Sequence, residues 1–191
     1  MIYITAVKSF QFNTTPGIRF GAEESKNTAE EVTKKLGKKI LFVTDPGLAK
    51  LGLIDDTLSA LKSNSDVLVF DNVEADPSLK TLMKCVEIGS DFKATGVIGF
   101  GGGSSMDVAK LTALLIGSNE NIHEAWGVAN AKGPRLPLVL YPTTSGTGSE
   151  VTPISIITQD DQEKKGVSSP IILPDLAILD PLLTLGLPPH T

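Results

Sequence analysis

The stretch Thr95-Gly-Val-Ile-Gly-Phe-Gly-Gly-Gly-Ser-Ser-Met-Asp-Val-Ala-Lys-Leu-Thr-Ala-Leu-Leu-Ile116 decides the fold class. Thr95 to Phe100 is a short β-rich run of the kind that fills a buried strand. Ser105 to Ile116 has helical spacing, with Val108, Leu111 and Leu115 on one face. Three consecutive glycines join the two. A strand that runs through glycine into a helix leaves the helix's first N–H groups pointing past the strand end, which makes an anion site. Glycines without a Cβ also let a pyrophosphate approach the backbone. Ser104 with Asp107 three residues later reads as a capping box.

Outward from this junction the same alternation continues, which is the α/β signature. Upstream, Lys39 to Asp45 reads as a buried strand, Asp55 to Lys62 as a helix with Leu58 and Leu61 on one face, and Asp66 to Phe70 as a second strand. Asp76-Pro77 opens a further helix, proline suiting the first turn, and Leu79 to Ile88 continues it. Downstream, Leu136 to Tyr141 is a fourth strand. Val151 to Thr158 and Ser169 to Leu173 read as strand-like segments joined by the polar hairpin-like stretch Gln159 to Lys165. Ile2 to Phe12 alternates imperfectly and reads as an edge or exchanged strand. The resulting expectation is one α/β domain over residues 1–191, with a mostly parallel sheet flanked by helices and an added β-hairpin region.

A second polar loop follows the fourth strand: Pro142-Thr-Thr-Ser-Gly-Thr-Gly-Ser-Glu150, rich in hydroxyl groups that donate to phosphate or ribose oxygens. Thr147 and Glu150 also have capping-box spacing. Two glycine loops, each after an apolar strand, predict one shared crevice. The first lacks the Gly-Lys-Ser/Thr ending of a P-loop and departs from G-x-G-x-x-G, because Gly99-Phe-Gly101-Gly-Gly-Ser104 ends in serine. Asp45 closes its strand where an acid meets the ribose hydroxyls of an adenosine, or else it serves only the Asp45-Pro46-Gly47 turn. Asp45 precedes the glycine loop instead of following it by about 20 residues as in a Rossmann unit. Both touch one ligand only if the strand order differs from that fold.

Composition narrows the function classes. The 191 residues are 41% hydrophobic and 20% charged, with net charge −5, which excludes intrinsic disorder and argues against a nucleic-acid partner. No apolar run approaches the roughly 18 residues of a membrane span and no secretory leader is legible, so no membrane partner is expected. A single cysteine, Cys85, allows no intrachain disulfide and fits a reducing cytoplasm. The histidines are His123 and His190, too few for a histidine-based metal centre or an obvious general base.

Val43-Thr-Asp45, Gly99 to Lys110, Pro142 to Thr152, Leu179-Asp-Pro181 and Leu187-Pro-Pro189 together closely resemble the iron-containing (group III) alcohol dehydrogenase family. The resemblance implies the family's dehydroquinate-synthase-like N-terminal domain, which binds NAD. It also implies an all-helical second domain that holds Fe²⁺ or Zn²⁺ through an aspartate and three histidines, and this sequence matches only the first. Carried over, Gly101, Gly102, Gly103 and Ser104 hold the pyrophosphate, Asp107 lies near the nicotinamide end, and Thr143, Thr144 and Thr147 line the adenine and phosphate side. Lys165 approaches the nicotinamide ribose. Asp76-Pro77 departs from the Asn-Pro common in the family. Lys110, Asp160, Asp161 and Asp180 read as solvated charges or a turn aspartate.

The function expected is the NAD-binding portion of a metal-dependent dehydrogenase acting on an alcohol or aldehyde, as a homodimer, with no catalytic or metal residue assigned to this chain. By itself the chain is expected to be inactive. A dehydroquinate-synthase-type lyase shares the architecture, but the Gly-Thr-Gly-Ser-Glu loop speaks against it. A free-standing dinucleotide-binding module is the non-enzymatic alternative.

Overall fold

The computed structural model describes residues 9–186. In chain order the elements are β1 (Ile18–Phe20), α1 (Glu24–Asn27), α2 (Ala29–Leu36), β2 (Lys39–Val43), α3 (Pro46–Lys50), α4 (Asp55–Lys62), β3 (Asp66–Phe70) and α5 (Leu79–Phe92). There follow β4 (Gly96–Gly101), α6 (Gly103–Ser118), α7 (Ile122–Ala125), β5 (Gly127–Val128), β6 (Leu138–Pro142), β7 (Ile154–Thr158), β8 (Lys164–Ser168) and β9 (Leu176–Leu179). Short 3₁₀ turns cover Ser149–Val151, Pro170–Ile172 and Pro181–Thr184.

Six strands form an all-parallel sheet in the order β1-β9-β6-β4-β2-β3. From β2 the chain moves outward to β3, returns to the other side of β2 as β4, and then proceeds through β6 to β9. The direction of winding therefore reverses between β2 and β4, and in open α/β sheets the ligand crevice lies outside the carboxyl ends of the strands at such a point. Val43 pairs with Gly99, which sets the ends of these two strands side by side. This order meets the condition the sequence imposes for Asp45 and the glycine loop to share one crevice.

Helices cover both faces, so the central strands are apolar on both sides. Ile40, Phe42, Ile98, Phe100, Val139 and Tyr141 pack with Val32, Leu36 and Leu61 of α2 and α4. Leu41, Val43, Val97, Leu138 and Leu140 face the other way, against α5 and α6. Each fully buried side chain of this size contributes roughly 1.5–3 kcal/mol. Gly99 lets α6 lie close on β4: a Cβ there would stand 2.8 Å from the Ala109 Cβ and 2.6 Å from Leu140 Cδ2. Phe42, Phe100 and Tyr141 stack across β2, β4 and β6 with ring centroids 5.4 and 5.6 Å apart, just below the loops.

A second, three-stranded sheet in the order β5-β8-β7 packs on the outer side of α6. It contains the expected hairpin with shifted boundaries. Lys164 to Ser168, whose first two residues read as polar loop, is the return strand. The apolar run Ser169 to Leu173 is instead a 3₁₀ turn, because Pro170 starts it and the Ser169 hydroxyl accepts from the Ile171 N–H. The helix expected to open at Asp76-Pro77 begins at Leu79. Ser78 caps it by accepting from the Thr81 N–H, and Asp76 has a left-handed backbone, φ 52°, that cannot enter a helix. The expected strand Ile2 to Phe12 falls mostly outside the described residues, and residues 9–12 form no strand.

Candidate functional site

The carboxyl ends of β2, β4 and β6 carry the residues singled out in the sequence. Gly101 pairs with Pro142, and the Thr143 N–H donates to the Gly101 carbonyl at 3.0 Å, so the two glycine loops leave the sheet together. Gly101 has φ 147°, a conformation open to glycine. Gly102 is the N-cap of the 16-residue α6 and supplies no side-chain cap, which leaves the first N–H groups of the helix open to the crevice. The expected capping box is therefore absent. Ser104 lies inside the first turn, and Asp107 turns away to other partners.

The second loop lies over the first. A methyl group on Gly103 would come 3.1 Å from Thr147 Cγ2, and one on Gly102 would come 3.6 Å from Thr144 Oγ1. That Thr144 hydroxyl is buried and has no hydrogen-bond partner. An unpaired buried hydroxyl costs about 1–3 kcal/mol, so a ligand oxygen placed there would relieve a standing penalty. Uncapped helix N–H groups, a floor of two glycines and an unpaired hydroxyl fit a pyrophosphate. Thr143 is buried, and its N–H is held by the Gly101 carbonyl at the root of the second loop.

Asp45 stands at the end of β2 and caps α3, accepting from the Leu48 N–H at 3.0 Å. A Cβ on Gly101 would stand 3.3 Å from Leu48 Cδ1. The turn role of Asp45 is thus occupied by one carboxylate oxygen, and the residue still flanks the reversal point at which the first glycine loop begins.

On the α6 side of the loops a cleft of about 390 Å³ is lined by Gly103, Ser104, Asp107, Thr147, Ile156 and Lys164, among others. A second cleft of about 400 Å³, over the ends of β6, β9 and β1, is lined by Phe20, Thr144, Gly146, Leu179 and Pro181, among others. Each has room for one nucleoside half of a dinucleotide, and Thr144 and Thr147 form part of the divide between them.

Within the first cleft Asp107 Oδ1 accepts from the Ser149 hydroxyl at 2.6 Å and Oδ2 from the Ile156 N–H at 2.9 Å. Burial pushes this carboxyl above its ordinary range, against the pull of Lys110 and these two donors. Lys110, read as a solvated helix charge, is fully buried. Both faces of α6 are covered, one by the main sheet and the other by the second sheet, so no solvent-facing stripe remains for it. Burial brings its ammonium down to about 8, opposed by Asp107 and Glu150. Its Nζ donates to Ser149 Oγ, the Thr152 carbonyl and the Ile154 carbonyl at 2.8, 3.0 and 2.7 Å.

The sequence model of iron-containing alcohol dehydrogenases matches residues 15–181. The chain belongs to the iron-containing alcohol dehydrogenase family. It is 38% identical over 184 residues to the sulfoacetaldehyde reductase of Bilophila wadsworthia, covering 95% of this chain and 48% of the relative. The crystal structure of a 1,3-propanediol oxidoreductase superposes with a TM-score of 0.90 at 30% identity, covering 95% of this chain and 48% of the other. The sulfoacetaldehyde reductase of Bifidobacterium kashiwanohense, solved in complex with NAD⁺, superposes with a TM-score of 0.84 at 28% identity, covering 96% and 49%. The chain thus spans about half the length of the relatives it matches.

One residue carried over from the family is not brought into the crevice. In the β7–β8 register Thr158 pairs with Lys164 and Ile157 with Lys165, so the exposed Lys165 shares the face of the buried Ile157. Lys164 lines the cleft and makes a 2.5 Å ion pair with Asp76 across its mouth. Successive strand residues point to opposite faces, and the sequence alone leaves open which of two adjacent lysines faces in. Sequence reasoning also missed Ser149 and Ile156, whose roles depend on pairing with α6.

Among the described residues no group of three or more His, Cys, Asp or Glu side chains is placed to hold a metal ion. His123 is exposed on α7, and Cys85 is buried in α5 with its thiol pushed up to about 12 by that burial. This donor set among the described residues does not fit iron or zinc. No helix among the described residues is long and apolar enough to cross a membrane.

Proposed function

We propose that this chain is the NAD-binding part of an alcohol dehydrogenase and that residues 1–191 act as one dinucleotide-binding domain. The observation that carries the reading is the uncapped N-terminus of α6 above the Gly102–Gly103 floor, with the unpaired Thr144 hydroxyl beside it. Gly101, Gly102, Gly103 and Ser104 hold the pyrophosphate through backbone N–H groups and the helix dipole. Asp45 accepts from the adenosine ribose with the carboxylate oxygen left free by its cap, and Thr143, Thr144 and Thr147 line the adenine and phosphate side. Ile156 and Lys164 border the nicotinamide ribose, in the place expected for Lys165.

The bound nicotinamide would exchange a hydride with the carbinol carbon of an alcohol or the carbonyl carbon of an aldehyde. The residues of this chain bind and orient that group. Fe²⁺ or Zn²⁺, polarising the substrate oxygen, belongs in this reading to the helical domain that the family resemblance implies and this sequence does not match. A homodimer in a reducing cytoplasm, with no nucleic-acid or membrane partner, completes it.

Titration of the protein with NADH, followed by the gain in nicotinamide fluorescence, tests the reading. Saturable binding that Gly103→Val weakens at least tenfold, with the far-ultraviolet spectrum unchanged, is the expected result. Absence of binding, or binding indifferent to Gly103→Val, would refute it.

A further inference from the structure

Asp107 borders the cleft, and its side chain is 17% exposed. A carboxylate there invites the assignment of a direct contact with the ligand. Its hydrogen bonds point elsewhere. Both oxygens already have donors in the Ser149 hydroxyl and the Ile156 N–H, at 2.6 and 2.9 Å. The Ser149 hydroxyl has one proton, which goes to Asp107, and its oxygen accepts from Lys110 Nζ. The other two Lys110 protons go to the Thr152 and Ile154 carbonyls. The Ser155 hydroxyl donates to the Asp107 backbone carbonyl at 2.9 Å. A single turn of α6 therefore grips the chain at residues 149, 152, 154, 155 and 156.

The segment just before this grip is the one that covers the glycine floor. Thr144 and Thr147 are followed or separated by Gly146 and Gly148, both with positive φ, at 145° and 62°. Such a segment has little stiffness of its own. Thr147 is tied to the fixed point through its hydroxyl, which accepts from the Ser149 N–H at 3.3 Å.

We infer that Asp107 is a positioning residue: through Ser149 it holds the Thr144–Thr147 segment over the glycine floor, and it makes no contact of its own with the dinucleotide. This rests on the dinucleotide reading above, and its test is separable from it. Ser149→Ala and Asp107→Ala each remove the tie, while Ser149→Thr keeps the hydroxyl. NADH affinity and the amide hydrogen exchange of residues 144–149 are measured for the wild type, these variants and the double variant Ser149→Ala/Asp107→Ala. Each tie-breaking single variant is expected to weaken NADH about tenfold and to speed exchange in the segment. The double variant should be no weaker than the worse single one, and Ser149→Thr should bind like the wild type. Losses that multiply in the double variant would show that Asp107 touches the ligand independently and would overturn the inference. So would a lowered unfolding temperature with NADH affinity unchanged. If the wild type bound no NADH, the dinucleotide reading would fail, and exchange alone would decide the role of Asp107: unchanged exchange over 144–149 in Asp107→Ala would overturn it.

Discussion

Lys110 and Ser149, 39 residues apart in sequence, meet at 2.8 Å in the interior, the lysine fully buried and the serine nearly so. A buried ammonium is tolerated when every proton finds an acceptor and an opposite charge is near. Here the Asp107 carboxylate stands 3.8 Å away. Removing one partner of such a group strands the others.

Lys110→Met should accordingly destabilise the fold by about 3–5 kcal/mol, the usual range for breaking a buried pair. At about 2–4 °C per kcal/mol for a chain of this size, the unfolding midpoint should fall by roughly 10 °C. A shift under about 3 °C in a thermal melt would show that the network contributes little.

Asp175 provides the pH dependence. Burial pushes its carboxyl up, but the Arg135 guanidinium at 2.7 Å and the Leu138 N–H at 2.8 Å outweigh it and hold it below the ordinary carboxylate range. A depressed carboxylate stabilises the fold at pH values above its unfolded pKa of about 3.9, and the contribution is lost as pH falls through the lower folded value. Asp175→Ala should cost about 1–3 kcal/mol at pH 7, because the Leu138 N–H loses its acceptor. The difference between variant and wild type should shrink toward pH 2 in urea melts taken across that range. A difference independent of pH would contradict the assignment.

Asp45 should favour NAD over NADP. An adenosine 2′-phosphate beside this carboxylate meets a like charge at a cost of order 1–4 kcal/mol in a partly desolvated site. Asp45→Ser keeps an acceptor for the Leu48 N–H, so the cap of α3 survives. NADP affinity should rise at least tenfold in calorimetric titration, with stability nearly unchanged. Equal affinity of the wild type for both cofactors would sink this prediction.

The two adjacent lysines of β8 should separate cleanly. Lys164→Ala should weaken NADH binding several-fold, whereas Lys165→Ala should leave it unchanged. The reverse order of effects would mean that the hairpin register differs from the one described.

Self-association through the N-terminal segment is expected as well. Among the described residues β1 is the outer strand of the sheet, with Ile18 and Phe20 exposed at its edge. Sedimentation at tens of micromolar should give a dimer, and deletion of residues 1–12 should give a monomer. A wild-type monomer would rule this out.

What was legible in the sequence follows from burial. α4 and β3 fall at the residues read for them, and β2, β4, β6 and α6 fall within two or three at each end, because long apolar or periodic runs belong to the core. β1 has three residues, all exposed, and leaves no pattern to detect. β9 has four and lies between Asp175 and Asp180-Pro181, too short to stand out from the loop around it. The glycine loops were readable as a site because their chemistry is local. The Asp107–Ser149–Lys110 network was not, since it exists only where α6 meets a chain segment some 40 residues away. Its lysine carries no mark that separates it from a surface lysine.

The reversal of winding between β2 and β4 also bears on how occupancy of the crevice couples to folding. Asp45, Gly102 and Thr144 come together only after strands far apart in the chain have taken their places. An unfolded or half-assembled chain does not present the whole of this surface. Any molecule that spans it acts as a staple between distant segments and binds the native state alone. At a hundred times its dissociation constant such a ligand adds about 2.7 kcal/mol to the stability of the whole domain. The rise in melting temperature with ligand concentration is then a measure of affinity, and in a cell the dinucleotide pool would set how much of the chain survives proteolysis.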